Sequence, residues 1–325
     1  MITESEFLDV CKQLQIVVND GGSLTRFFRD PRTPATSDPN LPISVLTKDL
    51  TINQSNNTWV RLFLPRKALD HHHHSNKFPL IVFFHGGGFV YFSAASTLFH
   101  DFCSKMAADM GAVVASVEYR LAPEHRLPAA FDDAVEALHW IKASPDDWLR
   151  DFVDYSNCYV MGSSSGGTIA YHAGLRVAEE VNDLKPMKIK GLILCQPFFG
   201  GTQRTESEVR LEKNPVIPMC WCDLSRELAL PVEANCDHEY SNPTVGGQPE
   251  KMEKIREMGW KVMVSGNRGD PLVERGREMA RLMERKGVKV VTDFEEGCHG
   301  VEFYDDSIAS KLIGVLKQFI SSSED

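Results

Sequence analysis

The amino-acid sequence has no excess of basic residues and no long hydrophobic run. Its 45 aspartates and glutamates outnumber its 35 lysines and arginines, which gives a formal net charge of −10 at pH 7. The basic residues are scattered, so they offer no positive patch for a phosphate backbone. No stretch approaches the roughly 20 apolar residues of a membrane-spanning helix. We therefore expect neither nucleic acid nor a membrane as a partner.

Signals for secretion and for metal binding are also missing. Residues 1–19 mix apolar with polar and acidic residues, unlike the basic start and apolar core of a signal peptide. The eight cysteines include no CxxC pair, and Cys220 and Cys222 are too close for a relaxed disulfide or the usual zinc spacing. We expect reduced, mostly buried thiols, no structural metal and a cytoplasmic location.

Four consecutive histidines, His71 to His74, could suggest a metal site. Adjacent histidine side chains cannot all converge on one ion, and this run lies in a polar stretch between two predicted strands. A solvated loop is the favoured interpretation. We expect no metal and no organic cofactor.

Short apolar runs alternate with helix-like segments over most of the chain, whose 42% hydrophobic and 25% charged content is typical of a globular protein. The predicted strands are Thr58–Leu64, Leu80–Phe84, Ala112–Val117, Cys158–Met161, Ile189–Cys195, Lys261–Ser265 and Val288–Asp293. The predicted helices are His100–Met110, Pro128–Lys142, Gly166–Val181, Leu272–Lys286 and Ile308–Ile320. This alternation indicates a doubly wound α/β fold.

The alternation is absent from two segments. The N-terminal arm, residues 1–40, has an amphipathic stretch at Phe7–Val18 and then several prolines. Residues 197–256 are proline-rich with a possible helix at Met219–Leu230, and are too long for an ordinary loop. We expect both to cap the carboxyl ends of the strands.

The sharpest motif is Gly162-Ser163-Ser164-Ser165-Gly166, placed between a predicted strand and a predicted helix. In this G-x-S-x-G context the glycines permit a strained turn that exposes the central serine above a sheet. Ser164 alone has glycine two residues before and after it, so we expect it to be the nucleophile, with Ser163 and Ser165 structural. Without its context, the motif could be a plain turn of small residues.

A glycine loop, His85-Gly86-Gly87-Gly88-Phe89, directly follows the strand Leu80–Phe84. Consecutive glycines let backbone N–H groups approach a substrate, and acyl transfer needs such donors for its oxyanion. We expect the N–H groups of Gly87, Gly88 and Ser165 to form this oxyanion hole. Neither a G-K-[ST] sequel nor a G-x-G-x-x-G spacing supports a phosphate loop. His85 is expected to maintain the loop rather than to act as a base.

An acid and a base are expected on loops after later strands, in the order Ser, acid, His. Asp270 follows the predicted strand Lys261–Ser265, and His299 follows Val288–Asp293. Asp270 could instead be an ordinary helix N-cap, and His299 could be a surface residue. Glu274 and Asp293 are rival acids, but we expect the first to point outward from a helix and the second to lie within a strand.

These motifs resemble those of plant carboxylesterases from the hormone-sensitive-lipase branch of the α/β hydrolases. The resemblance also covers EYRLAPEHRLPAA, residues 118–130, and DHEYSNP, residues 237–243. It implies an α/β fold class: one α/β-hydrolase domain over residues 1–325, with a mostly parallel central sheet flanked by helices. The cap is formed by the N-terminal arm and the insertion after the sixth strand, residues 197–256. One departure is GSSSGG, where many members have GDSAGG.

The resemblance implies an ester hydrolase with a Ser164–His299–Asp270 triad and a small-molecule, acetyl-like ester of a plant metabolite as substrate. The same family includes lyases or cyclases of specialised metabolites and hormone receptors in which the triad histidine is replaced, so both remain alternatives. The intact His299 argues against a receptor. The substrate pocket is expected near the arm and insertion, where apolar surface comes from Phe89, Phe198, Phe199, Trp221 and Leu224, although each could equally fill the cap's core.

Overall fold

An eight-stranded, mostly parallel sheet organises the protein in the computed structural model, which describes residues 4–70 and 77–322. The strands of the described residues are β1 (Ile16–Val18), β2 (Leu24–Arg26), β3 (Val45–Asn53), β4 (Thr58–Pro65), β5 (Phe78–Phe84), β6 (Val113–Glu118), β7 (Val153–Ser163), β8 (Ile189–Cys195), β9 (Lys261–Asn267) and β10 (Lys289–Glu295). All of them except β1 and β2 belong to this sheet. The sheet order is β10-β9-β8-β7-β5-β6-β4-β3. Only the pairings β3–β4 and β4–β6 within it are antiparallel.

Helices cover both faces of this sheet. They are α1 (Glu4–Gln13), α2 (Lys67–Asp70), α3 (Thr97–Met110), α4 (Ala129–Ala143), α5 (Asp147–Phe152), α6 (Ser165–Glu179), α7 (Glu206–Arg210), α8 (Met219–Ala229), α9 (Gln248–Glu257), α10 (Val273–Arg285) and α11 (Asp306–Ser321). Short 3-10 turns span Val181–Leu184 and Val301–Phe303. The α/β-hydrolase fold predicted from the sequence is thereby confirmed.

The buried stretches of the central strands are mainly apolar because both of their faces are covered. In β5, Leu80 and Val82 pack against α4 and α6, whereas Ile81 and Phe83 pack against α3 and α11. A strand between two layers of helices needs apolar side chains at every position. Every predicted apolar run lies on a strand.

The sequence analysis did not predict β3. This strand is at the edge of the sheet, and beyond its buried start exposed and half-buried positions alternate. Lys48 and Asp49 lie within it, so its composition resembles that of a polar segment rather than of a buried strand. An edge strand with a wet face lacks the continuous apolar run by which the others are recognised.

The arm and the insertion contact each other above the carboxyl ends of the strands. Val10 and Ile16 of the arm pack against Leu224 and Leu228 of α8. By contrast, α9 lies against α6 and buries Met252 in the core on the sheet. The end of the 197–256 segment therefore belongs to the helical layer and not to the cap.

A partly exposed hydrogen-bond network anchors the arm to the main body. Arg26 in β2 donates hydrogen bonds to the carbonyls of Val90 and Ala122, each at 2.7 Å, and to both carboxylate oxygens of Glu124. Glu124 also accepts a hydrogen bond from the backbone N–H of Leu24. The side chains of Arg26 and Glu124 are only 24% and 29% exposed, so solvent screens this pair incompletely.

Two expectations from composition are also addressed by the structure. All eight cysteines are free thiols, as expected, and five of them are buried. None of the helices within the described ranges is long and apolar enough to cross a membrane. The run His71 to His74 lies outside the described residues.

We predict that Arg26→Ala loosens the arm without unfolding the rest of the protein. The substitution leaves two backbone carbonyls and the Glu124 carboxylate without their partner, which makes arm opening about 2 kcal/mol easier. Hydrogen exchange followed by mass spectrometry should then show amide exchange at least about tenfold faster in residues 9–28. Lys12→Ala, at an exposed ion pair, is the matched control. Equal exchange in the two variants would contradict this role of Arg26.

Candidate active site

The backbone of Ser164 is held in an unusual conformation between β7 and α6. Its φ of 55° and ψ of −121° lie where L-residues are rarely found. Its N–H donates to the carbonyl of Cys195 at 2.8 Å, and its own carbonyl accepts from Gly167 and Phe198. The turn places Ser164 at the mouth of a cavity with 9% of its surface exposed.

Glycine is required on both sides of this turn. A Cβ on Gly162 would collide with the carbonyl of Gly166, and a Cβ on Gly166 would collide with the carbonyl of Phe84. Each obstacle is backbone that cannot move aside without disrupting the sheet or the helix. The spacing that singled out Ser164 in the sequence therefore has a steric cause.

His299 and Asp270 form a buried pair on neighbouring loops. The Nδ1 atom of His299 lies 2.7 Å from Oδ2 of Asp270, with the carboxyl fully buried and the imidazole 8% exposed. The other oxygen of Asp270, Oδ1, accepts from the N–H of Leu272 at 2.8 Å. One carboxylate thus supports the turn before α10 and holds the imidazole ring.

Asp270 is the main reason why the pKa of His299 is raised instead of lowered. Burial lowers the pKa of His299, but the charge of Asp270 and its hydrogen bond raise it by more, so the net shift is upward from 6.5. A histidine with a raised pKa stabilises the fold fully below the unfolded value. That contribution is lost as the pH rises through the folded value.

Ser164 and His299 face the same cavity. The structure shows no hydrogen bond between the Ser164 hydroxyl and the imidazole. Such bonds are often long in the absence of substrate and shorten in its presence. What the two side chains share is the cavity that both of them line.

The glycine loop turns tightly beside Ser164. The carbonyl of Gly87 accepts hydrogen bonds from Val90 and Tyr91, both at 3.0 Å. A Cβ on Gly86 would lie 3.2 Å from the Cβ of Ser164, so the loop backbone directly adjoins the serine. Its position after β5 brings it to the same edge of the sheet as the turn at Ser164.

The backbone N–H groups of Gly87, Gly88 and Ser165 have no acceptor within the described part of the chain. Ser165 is the first residue of α6, where the unpaired N–H groups and the helix dipole favour a negative charge. The three amides are available to an oxygen bound near Ser164.

His85 lies beneath the loop and does not face the cavity. Its ring is fully buried, stacks on Tyr119 with a centroid distance of 4.3 Å, and places Nδ1 2.8 Å from the carbonyl of Gly86. Burial lowers the pKa of His85 to about 4, so the imidazole is neutral at physiological pH. These contacts match the expected role in maintaining the loop.

The two rival acids lie elsewhere. Glu274, in the first turn of α10, accepts a hydrogen bond from the N–H of Ser207. Asp293 lies within β10, as expected, and lines a different cavity. Neither contacts His299.

The cavity above Ser164 has a volume of about 450 Å³. It is lined by Gln13, Leu14, Gln15, Phe28, Gly86, Gly87, Gly88, Tyr91, Phe92, Leu98, Phe99, Ser163, Ser164, Phe198, Val216, Ile217, Trp221, Cys222, Ser225, His299, Gly300, Phe303 and Tyr304. No aspartate, glutamate, lysine or arginine is among these residues. The lining is mainly apolar and aromatic, with arm, glycine loop and insertion each contributing.

Three of the five residues expected at the substrate pocket do not line it, which corrects the expectation. Phe89 and Phe199 are buried in the core on the sheet, and Leu224 packs against the arm. Phe198 and Trp221 do line the cavity. Which side of α8 faces the cavity depends on the position of the arm, which apolar content alone does not reveal.

The sequence analysis missed several lining residues that adjoin the recognised motifs. Tyr91 and Phe92 follow the glycine loop, whereas Phe303 and Tyr304 follow His299. Aromatic residues just after catalytic motifs are a usable signal, because the same loop carries both to the edge of the sheet. Phe28 on the arm has no comparable signal. No cluster of three or more potential metal ligands occurs among the residues described.

Comparisons with known proteins agree with this architecture. Residues 81–303 match the family described as the alpha/beta hydrolase fold. Carboxylesterase 20 of Arabidopsis thaliana is 48% identical to this chain over 325 residues, 99% of each protein. The 3-O-acetylpapaveroxine carboxylesterase CXE2 of Papaver somniferum is 44% identical over 306 residues, 92% of this chain and 95% of its own.

Solved structures are similar in fold. A hyperthermophilic esterase from the archaeon Pyrobaculum calidifontis superposes with a TM-score of 0.70 at 25% identity, covering 87% of this chain and 85% of the other. Carboxyl esterase 2 of Tuber melanosporum gives a TM-score of 0.73 at 17% identity, covering 99% of both chains. At 17% identity the likeness concerns the fold alone.

We predict that Asp270→Asn lowers the pKa of His299 below its value in the parent protein. The amide removes the negative charge that raises this pKa, while the burial that lowers it remains. Titration of ¹⁵N-histidine-labelled protein by NMR measures both values, with His299→Gln to assign the resonance. An unchanged pKa in Asp270→Asn would show that the carboxylate does not control the imidazole.

Proposed function

This chain belongs to the α/β-hydrolase family and is a carboxylesterase, and we propose that it cleaves esters with Ser164 as nucleophile, His299 as general base and Asp270 as the orienting acid. The observation that carries the proposal is the buried His299–Asp270 pair, whose imidazole lines the same cavity as the strained Ser164. A nucleophile, a base and a residue that orients the base are the three parts that acyl transfer requires.

In the proposed mechanism, His299 takes the hydroxyl proton of Ser164 as its oxygen attacks the ester carbonyl. Asp270 keeps the imidazole in the correct tautomer and stabilises its charged form. The tetrahedral intermediate collapses to an acyl-enzyme, and the alcohol leaves with the proton from His299. Water then repeats the sequence, releases the acid and restores the serine.

The proposed oxyanion hole consists of the N–H groups of Gly87, Gly88 and Ser165. All three lack acceptors among the described residues; Ser165 directly follows Ser164, and Gly87 and Gly88 line the same cavity as Ser164. Fixed donors stabilise the developing negative charge without reorganisation, an effect worth about 3 kcal/mol for each donor. Because backbone groups supply them, replacing the usual aspartate and alanine by Ser163 and Ser165 leaves the donors in place.

We propose a short-acyl ester of a neutral plant metabolite as the substrate. A cavity of about 450 Å³ whose described lining has no aspartate, glutamate, lysine or arginine favours an uncharged, partly aromatic molecule. The relative from Papaver somniferum is named for an O-acetylated compound, which supports an acetyl-like acyl group. Aromatic residues at the cavity, such as Phe92, Phe198 and Trp221, offer surfaces for the alcohol portion.

We predict that Ser164→Ala abolishes hydrolysis of 4-nitrophenyl acetate and butyrate, with a loss of at least about a thousandfold in kcat. Alanine retains the cavity but removes the oxygen that forms the acyl-enzyme. A fluorophosphonate probe should label the parent at Ser164 and leave the variant unlabelled, as mass spectrometry of the adduct can verify.

Ser156→Ala, at an exposed position of β7, is the matched control and should retain parental turnover. Persistence of hydrolysis in Ser164→Ala would contradict Ser164 as the nucleophile, because water would then attack the ester without an acyl-enzyme. Absence of both turnover and labelling in the folded parent would contradict the hydrolase and direct attention to ligand binding.

We predict that a negative charge on the substrate is poorly tolerated. The carboxylate of 4-nitrophenyl hemisuccinate would be desolvated in a cavity whose described lining has no lysine or arginine, so kcat/KM should be at least about tenfold below that for the butyrate. Measurement in about 0.5 M salt screens the long-range repulsion from the acidic protein. Equal values for the two esters would show that the acyl chain meets water or a cation.

A further inference from the structure

The loop that carries His299 is held by its own backbone only through a long hydrogen bond, from the N–H of Val301 to the carbonyl of Cys298 at 3.4 Å. Residues 297–300 connect β10 to a 3-10 turn, and Gly297 and Gly300 have φ values of 135° and 68°. Glycines on either side of His299 allow this path but add no rigidity. The position of the ring therefore depends on bonds from other parts of the fold.

Side chains at the ends of two neighbouring strands bond the peptide groups on either side of His299. Asn267, the last residue of β9, donates from Nδ2 to the carbonyl of Cys298 at 2.9 Å. Gln196, directly after β8, accepts through Oε1 from the N–H of Gly300 at 2.5 Å. The carbonyl of Asn267 also accepts from the N–H of Asp270, so the base loop and the acid loop share an anchor.

Glu302 fixes the orientation of the Gln196 amide. A glutamine amide can exchange its oxygen and nitrogen by rotation, and only its oxygen can accept from Gly300. The Oε2 atom of Glu302 accepts from Nε2 of Gln196 at 2.8 Å, which directs Oε1 towards Gly300. The bridge thus runs from Glu302 through Gln196 to the residue next to His299.

Burial of the Glu302 carboxyl beside Gln196 is energetically unfavourable. Only 4% of it is exposed, and its Oε1 atom has no partner among the described residues although it adjoins a second cavity of about 200 Å³. Burial raises the pKa of this carboxyl. A buried, half-satisfied acid destabilises a fold, so its contribution has to be sought in function.

We propose that Gln196 and Glu302 are positioning residues, which hold the turn at His299 and Gly300 so that the imidazole keeps its place between Asp270 and Ser164. This inference rests on the proposed hydrolase mechanism. Neither residue touches the substrate cavity, so the pair acts on the proton transfer and not on substrate binding.

The test compares variants that break the bridge with variants that preserve it. Gln196→Leu and Glu302→Leu should lower kcat for 4-nitrophenyl acetate about tenfold or more, because small displacements of catalytic groups are costly. Their KM should stay within about twofold of the parental value. Glu302→Gln retains an oxygen acceptor for Gln196 and should restore kcat to near the parental level.

Glu295→Gln is the matched control, because Glu295 lines the same second cavity and pairs with Lys311 instead of Gln196. Gln196→Asn serves if the leucine variants fail to fold, since its shorter side chain cannot span from Gly300 to Glu302. Parental kcat in folded bridge-breaking variants would overturn the proposal. A Glu302→Gln variant as slow as Glu302→Leu would also overturn it, because charge rather than the bridge would then matter.

A second measurement separates this inference from the proposed function. The proton on Nδ1 of His299, bonded to Asp270, is observable by NMR without turnover. Its exchange with water should be at least about tenfold faster in Gln196→Leu than in the parent, and near parental in Glu302→Gln. If the parent neither hydrolyses esters nor labels at Ser164, the proposed function fails, while unchanged proton exchange in Gln196→Leu refutes the bridge by itself.

Discussion

The strained backbone of Ser164 is the constraint around which the rest of the site is arranged. A serine with φ of 55° and ψ of −121° costs about 1–3 kcal/mol, and the conformation persists only where its surroundings enforce it. Here the enforcement comes from β8, through the carbonyl of Cys195, and from the chain just beyond it, through the N–H of Phe198. The sheet thus supplies the rigidity that exposes one hydroxyl. The proposed base and the proposed oxyanion donors then have to lie within reach of this one hydroxyl.

The features that could be predicted from the sequence are those determined by residues close together along the chain. The buried strands and the turn at Ser164 depend on neighbouring residues, since apolar runs and the glycines at 162 and 166 act over a few positions. Strand β3 was not predicted, because an edge strand with a solvent-exposed face resembles a polar segment. Similarly, Leu224 and Trp221 are equally apolar in the sequence, and only the docked arm determines that the second faces the cavity.

The Gln196–Glu302 bridge could not be predicted from the sequence for a different reason. Gln196 follows β8 and Glu302 follows His299, so they are 106 residues apart along the chain and 2.8 Å apart in space. Neither residue type has a chemical signature at its position, because glutamine and glutamate are ordinary in loops. Their significance arises only when the ends of adjacent parallel strands bring them together. Residues that orient a catalytic group are therefore harder to find from the sequence than the group itself.

The same fold can bind a small molecule or catalyse its reaction. The buried His299–Asp270 pair favours catalysis. An apolar cavity of about 450 Å³ would bind a neutral ligand without any titratable group beneath it. Burying Asp270 and His299 instead costs free energy, which their hydrogen bond offsets only while both partners are present. A binding protein gains nothing from this arrangement. An enzyme with the proposed mechanism gains a base that can accept the Ser164 proton in a mainly apolar cavity.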